Sequence, residues 1–185
     1  MMEEDRFWEI IDSSRQRAKE QKRKKNEDFL EVHERTLAEA LKNLSPAEII
    51  AFDDRFWERH RRAYRWDLWA VAYWLEGGCS DDGFTDFRAC LISLGQKDYE
   101  AALADPDSLA DVVDRPDAPY TQAEGFQYIA SKTYKAVTGE ECWPDSPTPR
   151  PAYPQPIGER FDFDDEEEMR RRFPRIVTKF PDGMD

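Results

Sequence analysis

The sequence predicts an all-α protein: a single compact bundle of about seven helices, then a Pro-rich extended segment and a short acidic helix near the C-terminus. Three observations carry that reading. No strand-like alternation of any length occurs in the first 140 residues. Apolar residues instead recur at three- and four-residue steps, the spacing of one helix face. Capping residues stand where the apolar runs begin, and Gly77, Gly78, Gly95 and Gly139 stand where they stop.

Taken in order, Phe7, Trp8, Ile10 and Ile11 make a first amphipathic helix, with Glu3, Glu4 and Asp5 at its positive end. Residues 15–25 then hold seven basic side chains and one acidic, with no interleaved aromatic for base stacking. A solvated helix continuation or a linker is the expected form. Phe29, Leu30, Val32, Leu37, Leu41 and Leu44 mark a second helix. Ser45-Pro46-Ala47-Glu48 reads as a capping box with proline at the first helical position, opening a third through Ile49, Ile50, Phe52, Phe56 and Trp57. With no proline or glycine from Ala47 to Glu76, that helix either runs on or breaks near Tyr64.

Between Tyr64 and Leu75 the apolar residues cover most of the circumference, including Trp66, Trp69, Tyr73 and Trp74, which predicts a central, enclosed helix. Ser80 is a natural N-cap for the next, with Asp81 and Asp82 in its first turn. Short helices are expected at 97–104 and 109–113, and another after a second capping box, Thr121-Gln122-Ala123-Glu124. Six prolines between Pro144 and Pro156 indicate an extended, polyproline-like segment. Six acidic residues at 162–168 followed by Arg170, Arg171 and Arg172 suit the dipole of a short helix, which Phe173, Ile176, Val177 and Phe180 would dock. The expected organisation is a helical domain over 1–142 and a docking Pro-rich segment and acidic tail over 143–185.

The chain has 185 residues, 36% of them charged, and a formal net charge of −13. Nucleic-acid binders draw most of their affinity from a basic excess, so that class is disfavoured, and a basic protein partner fits the charge better. No apolar run approaches the ~20 residues of a membrane span. The acidic N-terminus is not a secretory signal, and Cys79, Cys90 and Cys142 form no disulfide framework. The expected compartment is the cytoplasm. His33 and His60 lie among charged residues and read as solvated, which removes a histidine zinc site or hydrolytic triad from the expectation.

Two charges stand on apolar faces. Asp67 falls beside Val71 and Trp74 on the helical wheel, and Arg88 falls with Phe84, Leu91 and Ile92. Burial of either alone would cost several kcal/mol, so the two are expected to be neighbours, with Ser80, Asp81 and Asp82 close by. A metal-dependent or thiol-based enzyme would use Asp67, Asp81, Asp82 and Asp86 as ligands or acid–base groups. Cys79 would be its thiol at a helix N-terminus, where thiols become acidic. Against this, no histidine accompanies Cys79 and the aspartates already suit a helix start.

The run YRWDLWAVAYWLEGGCSDDGFTDFRACLISLG, with FWEIID and LSPAEIIAFDDRF before it and DPDSLAD after it, resembles an uncharacterised bacterial domain-of-unknown-function family with a W-D-L-W…GGCSDD-x-F-x-x-F-R…G signature. The likeness covers about Glu4 to Gly139. It implies an all-α fold and no particular activity, cofactor or catalytic residue. Cys90 departs from it, standing where a large residue, often tryptophan, is expected. The combined expectation is a non-enzymatic cytoplasmic interaction or regulatory protein with no cofactor or metal. The enzyme centred on Asp67, Cys79–Asp82 and Arg88 is the alternative, and an acidic decoy imitating nucleic acid is a third.

Overall fold

The computed structural model describes residues 1–25, 28–115, 117–118, 123–140 and 155–184, the side chains of 22–25 excepted. Within these residues the fold is all-α, with isolated bridges in place of strands. Helix α1 (Glu4–Lys25) continues straight through the basic stretch and α2 (Phe29–Leu41) folds back along it. Asp28 caps α2 by accepting from Leu30 N at 2.8 Å and Glu31 N at 3.2 Å. The described part of the basic stretch is knitted into the body. Arg15 is buried, donates to Ser93 O and to both the carbonyl and carboxylate of Asp117, and lies over the Phe29 ring. Arg17 pairs with Glu39 and Lys19 with Asp117.

Helix α3 (Pro46–Arg62) opens with the capping box intact: Glu48 N donates to Ser45 Oγ, and Ser45 N donates back to Glu48 Oε2. Three residues break the chain before α4 (Trp66–Glu76). Gly77, left-handed at φ 64°, ends α4, and Gly78 N reaches back to Tyr73 O at 2.8 Å. Helices α5 (Asp81–Ser93) and α6 (Gln96–Ala104) follow, then 3₁₀ turns at Pro106–Asp111 and Glu124–Tyr128, and α7 (Ile129–Thr138). The first 3₁₀ turn replaces the helix expected at 109–113. Thr121 and Gln122 of the second capping box lie outside the described residues, as do Cys142 and the prolines from 144 to 154.

The tail holds the short helix expected from the acidic run and the three arginines, but with a later start and a second helix after it. Helix α8 (Glu166–Arg172) starts midway through the acidic run, where Asp165 caps Glu167 N and Glu168 N. Residues 162–164 precede it as irregular chain. Pro174 then starts a separate α9 (Pro174–Lys179). Met169, Phe173, Ile176 and Val177 are buried in the same core as Leu68, Leu75 and Leu109. Ile157 exchanges main-chain bonds with Tyr64 and Trp66, Trp74 Nε1 donates to Phe180 O at 2.7 Å, and Met184 N donates to Leu75 O at 2.8 Å. Phe173, at the N-cap of α9, lacks an acceptor. Asp107, buried in the first 3₁₀ turn, supplies one by accepting from Arg175 N and Ile176 N at 2.8–3.1 Å. Arg175–Asp111 and Lys179–Asp114 pairs flank it. No described helix is long and apolar enough to cross a membrane.

Both histidines correct the reading from sequence: His33 and His60 are fully buried. His33 sits between Phe29 and Phe126 with Nε2 3.1 Å from Ser14 Oγ, and His60 donates from Nε2 to Thr85 O at 2.9 Å. Arg59, next to His60, is buried as well, so charged neighbours in sequence do not mark a solvated face. Burial, reinforced by Arg15 beside His33 and Arg88 beside His60, lowers both pKa values to about 3.

Two outcomes follow from this packing. Folding holds both rings neutral, so the unfolded chain takes up protons that the native state refuses. Their contribution is present in full above 6.5 and is lost as the pH falls from 6.5 towards 3. The loss is about 1.4 kcal/mol per pH unit per histidine. In NMR titrations, neither native imidazole signal should move between about pH 8 and 5, while both titrate in denaturant. Separately, Asp107→Ala should lower stability by about 1–3 kcal/mol in urea unfolding, because the buried Ile176 N–H and the part-buried Arg175 N–H lose their acceptor. Trypsin should then cut first at Arg175 and Lys179.

Candidate functional site

Helix α4 separates the sequence candidates, of which it carries only Asp67. Asp67 lies at the N-terminal end, in the first turn of α4. Cys79, Ser80, Asp81 and Asp82 lie past the other end, across eleven residues or roughly 16 Å of helix. Arg88 lies inside α5.

The expected Asp67–Arg88 pair is not formed. Asp67 takes a two-pronged bond from Arg65, at 3.0 Å from Nε and 2.6 Å from Nη2, and its carboxylate is half-exposed. Arg65 also donates to Leu103 O, tying the start of α4 to α6. Arg88 is buried and placed by α3 and its own helix. It donates to Phe84 O, to His60 O at 3.3 Å and to Thr85 Oγ1 at 2.9 Å, with Tyr64 and Phe84 rings 4.6 and 5.0 Å from its guanidinium carbon. His60 O belongs to the last turn of α3, where a cation complements the helix dipole. A fork-shaped, weakly hydrated guanidinium suits that mixture of carbonyls and ring faces.

At the α4–α5 turn, Ser80 Oγ accepts from Gly83 N at 3.1 Å, so it is the N-cap, and Asp81 and Asp82 are exposed in the first turn. Cys79 is part-buried beside Glu76. Burial, then the charges of Glu76, Asp86 and Asp81, pushes its thiol up to about 12. The helix N-terminus favours thiolate, yet the surrounding carboxylates and lost hydration outweigh it. Glu76 and Asp86 are themselves raised, chiefly by burial, and Asp86 accepts from Gln127 Nε2 at 2.7 Å. No group of three or more His, Cys, Asp or Glu side chains among the described residues is arranged to hold a metal ion. Cys90 is buried against a small void of about 10 Å³ among Phe87, Leu91, Leu94, Leu109 and Val112.

The sequence does not single out an open cleft that lies beside α4. Trp66 and Tyr73, two turns apart on one helix face, form one wall of an open cleft of about 510 Å³. Phe161 and Phe163 form the other, with Phe163 edge-on to Trp66 at 6.1 Å and tilted against Tyr73 at 5.5 Å. Asp162 and Asp164 edge it, and Tyr73 OH donates to Asp164 Oδ1 at 2.8 Å. The hydrogen bond and charge of Asp164, with Asp162 behind it, raise the Tyr73 phenol pKa. Arg160 lies over Trp66 at 5.1 Å. Behind Trp66 the rings continue inward, stacked on Trp69 at 5.5 Å and 9° and then on Phe84 at 4.8 Å and 13°. The F-x-F spacing inside an acidic run was the available signal, since alternation marks extended rather than helical chain.

Fold and site together define an acidic, all-α protein with an aromatic, carboxylate-edged cleft on its central helix. It belongs to the family described as protein of unknown function (DUF4240), whose model matches residues 2–136. The tail that forms half of the cleft lies beyond that match. No curated protein and no solved structure matches the chain.

The Cys79 environment is directly testable. At about pH 8 the native thiol should react with iodoacetamide at least about tenfold more slowly than in denaturant, since only thiolate attacks. Native alkylation at the denatured rate would contradict the raised pKa.

Proposed function

We propose that this protein is a non-catalytic, cytoplasmic helical interaction or regulatory protein whose acidic surface meets a basic protein partner. One observation carries the reading: each reactive-looking group near α4 and α5 is held in a structural role. Cys79 is kept protonated, Ser80 and the aspartates begin a helix, Asp67 is clasped by Arg65, and Arg88 joins α3 to α5. The net charge of −13 gives the surface a field that attracts basic proteins and repels nucleic acid.

Immobilised full-length chain, exposed to bacterial lysate, should retain a basic protein in stoichiometric amount at about 0.1 M salt and release it near 1 M, where charge attraction is screened. An unrelated protein of equal net charge serves as the control. Recovery of nothing beyond that control speaks against the reading. Recovery of a DNA-binding protein whose DNA competes would favour the decoy alternative.

A further inference from the structure

We infer that the cleft between α4 and the segment 160–164 is a recognition site for an arginine side chain of a basic partner, with the chain's own Arg160 standing in for it. The inference rests on the interaction reading above and names the chemistry of its partner.

The walls are ring faces and edges: Trp66 and Tyr73 from α4, Phe161 and Phe163 from the tail. Ring faces carry negative charge density and attract a guanidinium lying flat on them, most strongly at tryptophan. Around these rings stand the carboxylates of Asp162 and Asp164, the latter held at the cleft by the Tyr73 hydroxyl at 2.8 Å. Rings and carboxylates together select a planar cation over an anion or a neutral ring.

Arg160 supplies an independent observation. It is exposed, its guanidinium carbon lies 5.1 Å from the Trp66 ring centre, and among the described residues it makes no ion pair or hydrogen bond. The contact is therefore a lone cation–π pair between an exposed side chain and a wall of the cleft. Such a pair is weak enough to exchange. Arg172, over Phe161 at 4.3 Å, differs, because Glu159 and Glu168 hold it in place. Beyond Trp66, the stack through Trp69 to Phe84 anchors the receiving ring in the core, so the surface is built before a ligand arrives.

The test titrates N-acetyl-arginine methylamide into the full chain and follows the indole N–H signal that disappears in Trp66→Phe. The expected result is a saturable shift in the millimolar range. Arg160→Ala should tighten binding about two- to fivefold by removing the competitor, the ratio an exposed cation–π contact supports. Asp162→Asn should loosen it by a similar factor, more at low salt. Both positions are exposed, so neither substitution threatens the fold. Adenosine monophosphate is the contrasting probe. Weaker arginine binding in Arg160→Ala, a Trp66 signal that ignores the arginine probe, or tighter binding of the nucleotide would each overturn the assignment. If the probe fails while the lysate partner is still retained, only the cleft is refuted. If the probe binds and no partner is retained, the cleft stands and the broader reading falls.

Discussion

A helix of eleven residues that is apolar around most of its circumference must be covered on most sides, and α4 imposes that requirement on the rest of this protein. Leu68, Ala70, Val71, Ala72 and Leu75 are buried, and four large aromatics fill the remaining directions. Helix α5 closes one side through the Trp69–Phe84 stack, and the 3₁₀ turn at Pro106–Asp111 contributes another. The last side belongs to the tail, which meets α4 at both ends through Ile157 and Met184. Tryptophans suit this role because each has one polar atom to place: Trp69 Nε1 reaches Cys79 O and Trp74 Nε1 reaches Phe180 O. Each indole thus fixes a neighbouring segment while filling space.

The local grammar of the chain was legible. The Ser45 capping box, the Gly77 stop and the Ser80 cap are short-range consequences of residue chemistry, and the structure contains all three; α4 is central as expected but leaves Trp66 and Tyr73 on an open face. What escaped was the direction individual side chains take and the packing of distant chain. The helical wheel placed Asp67 and Arg88 on apolar faces, but could not show that Arg65, two residues back, would fold over Asp67. Nor could it bring the end of α3 within reach of Arg88. The histidines misled for a related reason. A histidine among charged residues in sequence is solvated only if its own direction on the helix faces water, and those of His33 and His60 face the core.

The cleft shows the same limit more sharply. Its walls lie about ninety residues apart, and neither announces a site alone: one is part of an aromatic helix, the other part of an acidic run. Placing the helix start at Glu166 rather than at 162 frees Phe161 and Phe163 to face α4. That boundary depends on Asp165 acting as the cap, a choice among three neighbouring aspartates that composition alone does not make. The acidic run thus divides into two parts, one beside the aromatic rings and one ordering a helix with Arg171 and Arg172.

The Asp107 cap also has a consequence for the order of folding. A six-residue helix is far too short to persist alone in water, and the carboxylate that completes α9 lies 68 residues upstream of Arg175. Helix α9 therefore becomes stable only on a body that has already positioned its 3₁₀ turn. During synthesis that body leaves the ribosome first, with the indole of Trp74 and the outer side of α4 still uncovered. The nascent domain passes through an interval in which an aromatic surface is open, and the arrival of its own tail covers part of it.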